Sequence, residues 1–148
     1  MEEVAGFVRP ILRMFPKWTE AEFAWDGEIG RMRVPSPIGL LDGALAIEGE
    51  GSWLTVRWRH WAERFRCTGL DRKDVEFGQL ISLLAAIDEE RAALVELFSG
   101  GEWLHSRIYE VKEDGELGAG GAQVGRMRLR RADRTEIWSW RGSYDSVA

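Results

Sequence analysis

DVEFGQLISLLAAIDEERAALVELF, Asp74 to Phe98, is the stretch whose reading decides the fold. Phe77, Leu80, Ile81, Leu84, Ile87, Leu94, Val95 and Phe98 recur at steps of three and four, while Glu76, Gln79, Ser82, Glu89 and Glu96 fall opposite. That period predicts one long amphipathic helix. Asp71 or Asp74 can accept from its first free N–H groups, and Ser99-Gly100-Gly101 supplies a glycine C-cap. Two residues interrupt the pattern. Gly78 costs about 1 kcal/mol relative to Ala in a helix interior, and its missing side chain admits the close approach of another backbone. Arg91 lies in the apolar stripe. Either its stem packs while its head reaches water, or the helix breaks near Asp88 and a second one starts at Glu89. The single helix is the reading adopted.

The flanking segments supply what this helix packs on. Val4, Phe7, Val8, Ile11, Leu12 and Phe15 form a shorter helical stripe, interrupted at Pro10 and stopped at Pro16. Three hairpins are expected. Turning at Asp26-Gly27 sets Glu22 against Arg31 and Glu20 against Arg33, and leaves Phe23, Trp25, Met32 and Val34 on the other face. Turning at Glu50-Gly51 pairs Ile47 with Leu54, Leu45 with Val56 and Gly43 with Trp58. Glu48/Trp53, Ala46/Thr55, Ala44/Arg57 and Asp42/Arg59 then share the polar side. Turning at Asp133-Arg134 sets Leu129 against Trp138, Met127 against Trp140 and Arg131 against Glu136. Residues 102–111 read as a further strand, and the Gly-rich run 115–125 as a loop. The expected fold is α+β: one domain over residues 1–148, with a single antiparallel sheet of about 6–7 strands built from hairpins, packed on one long helix, with a short N-terminal helix. The expected core is Leu45, Ile47, Leu54, Val56, Trp58, Leu80, Leu84, Ile87, Met127, Leu129, Trp138 and Trp140.

Bulk properties narrow the function. The chain has 148 residues and a net charge of −5, which argues against general attraction to nucleic acid or anionic membranes. Cys67 is the one cysteine, which suits a reducing, cytoplasmic setting. The start of the chain, with Glu2 and Glu3, carries no signal-peptide pattern, and no run of eighteen apolar residues predicts a membrane span. The 8 tryptophans are many for this length, and of the 20 basic residues only Lys17, Lys73 and Lys112 are not arginine.

Catalytic signatures are missing from the sequence. His60, His105 and Cys67 form no zinc-ligand spacing, so no metal or other cofactor is expected. Cys67 with a histidine would make a dyad, with Arg64 and Arg66 lowering its pKa, but a half-buried strand cysteine is the simpler reading. No phosphate loop or nucleophile elbow occurs. What remains is a row on one strand, Trp53, Thr55, Arg57, Arg59 and Trp61, extended by Arg31/Arg33 and Arg128/Arg130 if their hairpins join the same sheet. Trp and Arg are enriched where binding energy concentrates. Trp53, Arg57, Arg59 and Trp61 are therefore the expected partner-binding residues of a small soluble, non-catalytic binding protein, such as a stoichiometric protein partner or immunity-type inhibitor. The alternative is an enzyme or small-ligand domain with a Trp-lined pocket, using His105, Tyr109 or Glu110. Base stacking by single-stranded nucleic acid fits less well, given the acids opposite the arginines.

Overall fold

The computed structural model describes residues 4–71, 73–112 and 132–147. The fold is α+β, with two separate antiparallel sheets of five and four strands in place of the single sheet of 6–7 strands expected from the sequence. The chain divides into two compact units, residues 1–84 and 85–148, and the division falls inside a helix.

The first unit contains α1 (Val8–Met14), β1 (Glu22–Asp26), β2 (Ile29–Val34), β3 (Leu45–Glu50), β4 (Trp53–Trp58), β5 (Trp61–Arg66) and most of α2 (Val75–Asp88). Pro10 lies in the first turn of α1, where a missing N–H costs little. The strands follow one another in space in sequence order, β1-β2-β3-β4-β5. Both expected hairpins form, but their loops sit one residue further along. Asp26 pairs with Ile29 and Glu50 with Trp53, so the loops are Gly27-Glu28 and Gly51-Ser52. Gly27 (φ +62°) and Gly51 (φ +59°) take the first loop position, which in a two-residue hairpin needs positive φ. Partners therefore change: Glu22 faces Arg33, Leu45 faces Trp58 and Ile47 faces Val56. The shift is even, so every side chain keeps its expected face.

One face of this sheet is the core. Met32, Val34, Leu45, Ile47, Leu54, Val56, Trp58, Trp61 and Phe65 are buried on it. Gly49 lies on the same face, and a Cβ there would stand 2.5 Å from Phe7 Cε1. Phe7, at the start of α1, thus lies directly over β3. Its ring meets Phe23 edge-on at 6.4 Å, and Phe23 meets Trp25 at 5.3 Å. Phe15 and Trp18 stack at 4.2 Å beyond the helix.

Asp74 caps α2 as expected, its Oδ1 accepting from Glu76 N (3.1 Å) and Phe77 N (3.2 Å). Phe77, Leu80, Leu84 and Ile87 are buried along it. Gly78 has open space where a Cβ would be, so no backbone approaches it.

The helix stops at Asp88, well short of Phe98. Glu90 takes φ +57°, Glu90 N donates to Ile87 O (3.1 Å) and Arg91 N donates to Ala86 O (2.8 Å). This is the Schellman pair of bonds, with glutamate where glycine is usual. The second unit continues with β6 (Ala92–Ser99), β7 (Glu102–Glu110), β8 (Arg134–Trp138) and β9 (Ser146–Val147), ordered β7-β6-β8-β9. Residues 92–98 belong to a central strand that is buried on both faces, Ala92, Leu94 and Glu96 on one and Ala93 and Leu97 on the other, which explains the nearly continuous apolar run. Gly100 (φ +58°) and Gly101 (φ +82°) turn the β6–β7 hairpin and do not cap a helix. Arg134 begins β8 and is not a loop residue. β8 pairs with β6 and β9; the expected partner strand, with Met127 and Leu129, lies outside the described residues. Trp140 is buried, whereas Trp138 is only partly so.

Candidate partner-binding face

The face of the five-stranded sheet opposite Phe7 carries the polar residues. Opposed residues form rows across it. One row runs Ala24, Arg31, Glu48, Thr55, Arg64, and the next Glu22, Arg33, Ala46, Arg57, Ala62. A third places Glu50, Trp53 and Arg66 side by side. At about 4.8 Å between strands, five arginines lie within a patch roughly 20 Å wide. Arg31 and Arg33 do extend the row, because their hairpin joins this sheet. Arg128 and Arg130 lie outside the described residues.

Glu48 organises the middle. Its Oε2 accepts from Arg31 Nη2 at 2.8 Å, and its Oε1 accepts from Arg57 Nε. Burial acts to raise the Glu48 carboxyl, but the hydrogen bonds and charges of Arg31 and Arg57 outweigh it and hold the group below its ordinary value. The hydrogen bond to Glu48 raises Arg31 in turn. Both guanidinium groups remain about half exposed, so each pair stabilises by under about 1 kcal/mol. Their main effect is to fix two arginines at set positions.

Trp53 is 39% exposed on the same face. The Arg64 guanidinium lies 4.3 Å from its ring centroid and that of Arg66 6.0 Å away. Each such contact contributes about 0.5–1 kcal/mol at an exposed site. The outward residues of β4 and β5 are thus Trp53, Thr55, Arg57, Ala62, Arg64 and Arg66, with no carboxylate among them. In the sequence Arg64 and Arg66 stand out only as neighbours of Cys67. The alternation Arg64-Phe65-Arg66, with one apolar residue between two cations, is the signal that marks them.

The four expected residues do not all share this face. Trp53 and Arg57 do. Trp58 pairs directly with Trp61, so Arg59-His60 is a two-residue loop and the chain reverses there. Trp61 consequently shares the face of Trp58 and is 8% exposed, in the core. Arg59 sits in the loop with φ +53°, a left-handed conformation that costs a non-glycine residue about 1–3 kcal/mol.

Beside that loop a cleft of about 470 Å³ opens. Ala44 and Ala46 form its floor, Arg33 and Arg57 flank Ala46 on the neighbouring strands, and Arg59, Asp42 and Leu41 line the rest with His60. Arg59 Nη1 donates to Asp42 Oδ2 at 3.1 Å; the arginine side chain is 7% exposed and the aspartate 78%. A second cleft, of about 620 Å³, lies in the other unit beside Glu90, Glu110 and Tyr144. Burial acts to raise the Glu90 carboxyl, but bonds from the Ser143 hydroxyl (2.6 Å), the N–H groups of Ser143 and Arg141, and Ser139 bring it below its ordinary value. That carboxylate staples the C-terminal turn.

Neither cleft has tryptophan in its lining. Of His105, Tyr109 and Glu110, only Glu110 lines the second cleft, and it projects to the opposite side of β7 from the other two. Cys67 is buried, and its thiol is raised to about 11 by burial and by the charges of Asp74 and Glu76. Among the described residues, no group of three or more His, Cys, Asp or Glu is placed to hold a metal ion, and no helix is long and apolar enough to cross a membrane. The molecule that these observations define is a small, tryptophan-rich α+β protein without an assembled metal or disulfide centre among its described residues. The chain matches no protein-family model, no curated protein and no solved structure.

Proposed function

We propose that the outer face of the five-stranded sheet docks an acidic segment of a partner protein, and that the protein acts as a stoichiometric binding partner, of which an immunity-type inhibitor is one form. One observation carries this reading: Arg64 and Arg66 lie against the exposed Trp53, Arg57 stands further along β4, and no carboxylate is on the outward side of β4 or β5. An exposed indole already in contact with guanidinium groups gives an apolar anchor inside a cationic rim, the combination in which interface energy concentrates. Protein is favoured over nucleic acid. The chain is net −5, which removes the general attraction that a long polyanion needs, whereas a short acidic segment with an apolar residue meets only the local cations around Trp53. The buried, unpaired thiol of Cys67 fits a reducing compartment such as the cytoplasm.

The test is capture from the native lysate by wild type, by Arg57→Glu/Arg64→Glu and by Lys73→Glu as a surface control. A stoichiometric partner held by wild type and the control, released by the double reversal and weakened by salt, is the expected result. Absence of any partner sensitive to the double reversal overturns the reading.

A further inference from the structure

We infer that the cleft between Arg33, Arg57 and Arg59 is a carboxylate seat, and that Asp42 occupies it in the free protein as a built-in stand-in for an acidic side chain of the partner. The inference rests on the docking reading above and narrows it to one position.

Three features of the cleft point the same way. First, three arginines line it around small residues. Ala46 lies between Arg33 and Arg57 in one cross-strand row, Arg57 also donating its Nε to Glu48, and Ala44 is two residues before it on the same side, so the floor between the two arginines carries only methyl groups. Second, Arg59 is held there against its backbone preference. A hairpin loop position with φ +53° normally takes Gly, Asn or Asp. Arginine at that position delivers a guanidinium to the cleft wall, where its side chain is 7% exposed. A largely desolvated cation of this kind requires an oxyanion. Third, the carboxylate on Arg59 Nη1 is loosely anchored. Asp42 is 78% exposed and extends from the segment between β2 and β3, next to Leu41, which is 96% exposed. A carboxylate in water can be exchanged for one arriving on a partner at small cost, and the bare Leu41 side chain then gains cover. Docking across β4 would bring such a group to the cleft while Trp53, about 13 Å away along the strand, holds the other end.

A fluorescein-labelled oligoglutamate peptide is a suitable probe, read by anisotropy with the full chain. Asp42→Asn removes the competing charge and leaves Arg59 a neutral hydrogen-bond acceptor. It is expected to tighten binding about 3–10-fold, as expected for one interfacial charge. Arg33→Gln, at an exposed position, is expected to weaken binding by a similar factor and to abolish the gain in the double variant. Inorganic phosphate at millimolar concentration is the second arm: competition by phosphate that is stronger in Asp42→Asn than in wild type supports a general oxyanion seat. If the peptide binds, and Arg64→Gln weakens it while Asp42→Asn and Arg33→Gln leave it unchanged, the seat is refuted and the docking face stands. If no variant binds the peptide, both fail.

Discussion

Replacing Gly49 with alanine tests which side of the five-stranded sheet is covered, and so which side is free to bind. A Cβ at Gly49 would stand 2.5 and 2.7 Å from Cε1 and Cδ1 of Phe7 and 3.1 Å from Leu54 Cδ2. Two of the three contacts are atoms of one aromatic ring, which cannot bend away as a methyl-terminated chain can. Overpacking of this kind costs about 1–3 kcal/mol. Alanine recovers about 0.5–1 kcal/mol of backbone entropy relative to glycine in a strand. The net expectation is a loss of about 1–2 kcal/mol. With a urea slope near 2 kcal/mol per molar, the midpoint falls by roughly 0.5–1 M. Phe7→Leu is the second arm of the cycle. It withdraws the ring edge, so Gly49→Ala should cost about 1 kcal/mol less in that background. A neutral or stabilising Gly49→Ala, or an equal cost with and without the Phe7→Leu change, would refute the reasoning. Phe7 would then not lie on the Gly49 side, and α1 would become the candidate cover over Arg31, Glu48 and Arg57.

Gly78 provides the opposite case: it lies inside α2 with nothing within 4 Å of an added Cβ, so Gly78→Ala should stabilise by about 0.5–1 kcal/mol in the same assay. The Cys67 thiol, raised from 9.0 to about 11, should be alkylated at pH 8 about 100-fold more slowly in the native protein than in urea from ionisation alone, and more slowly still from burial. Because the folded state holds that proton more tightly, the associated stability is complete below about pH 9 and is lost as pH rises towards 11. A native alkylation rate equal to that of the unfolded chain would contradict this placement.

What the sequence revealed and what it hid follow from parity and from turn chemistry. Period-two alternation in Leu45–Glu50 and Trp53–Trp58 sets the core face correctly, although each loop reads one residue early. Asp26 and Glu50 look like loop residues because acids precede glycine in many turns. In both hairpins the acid is the last strand residue and the glycine opens the loop. An even slip preserves faces, so Trp53 and Arg57 stay where the alternation puts them. Trp61 does not, because Arg59-His60 carries no glycine or asparagine to announce a turn, and an uninterrupted strand through it places Trp61 on the wrong side. The same gap hides the end of α2. Glu90 stands where a helix-terminating glycine would, and the spacing of Leu94, Val95 and Phe98 fits a helix as well as a buried strand. With that boundary hidden, β6 merges into the helix and the second sheet is lost with it.

Arg59 and Glu90 are both charged residues in left-handed conformations, and the contrast between them separates structural from functional uses of strain. Glu90 receives hydrogen bonds from Ser143 and Arg141, fifty residues on, so its cost is offset by tying the C-terminal turn to the end of α2. Those bonds are a sufficient account of why glutamate is there. The ion pair between Arg59 and Asp42 joins the guanidinium to an aspartate that is itself mostly in water, and such a pair contributes little to stability. A glycine or asparagine in the loop would remove the backbone strain, and the Trp58–Trp61 pairing does not require a guanidinium. The strain at Arg59 holds a guanidinium whose side chain is 7% exposed beside the cleft, the position that the proposed carboxylate seat requires.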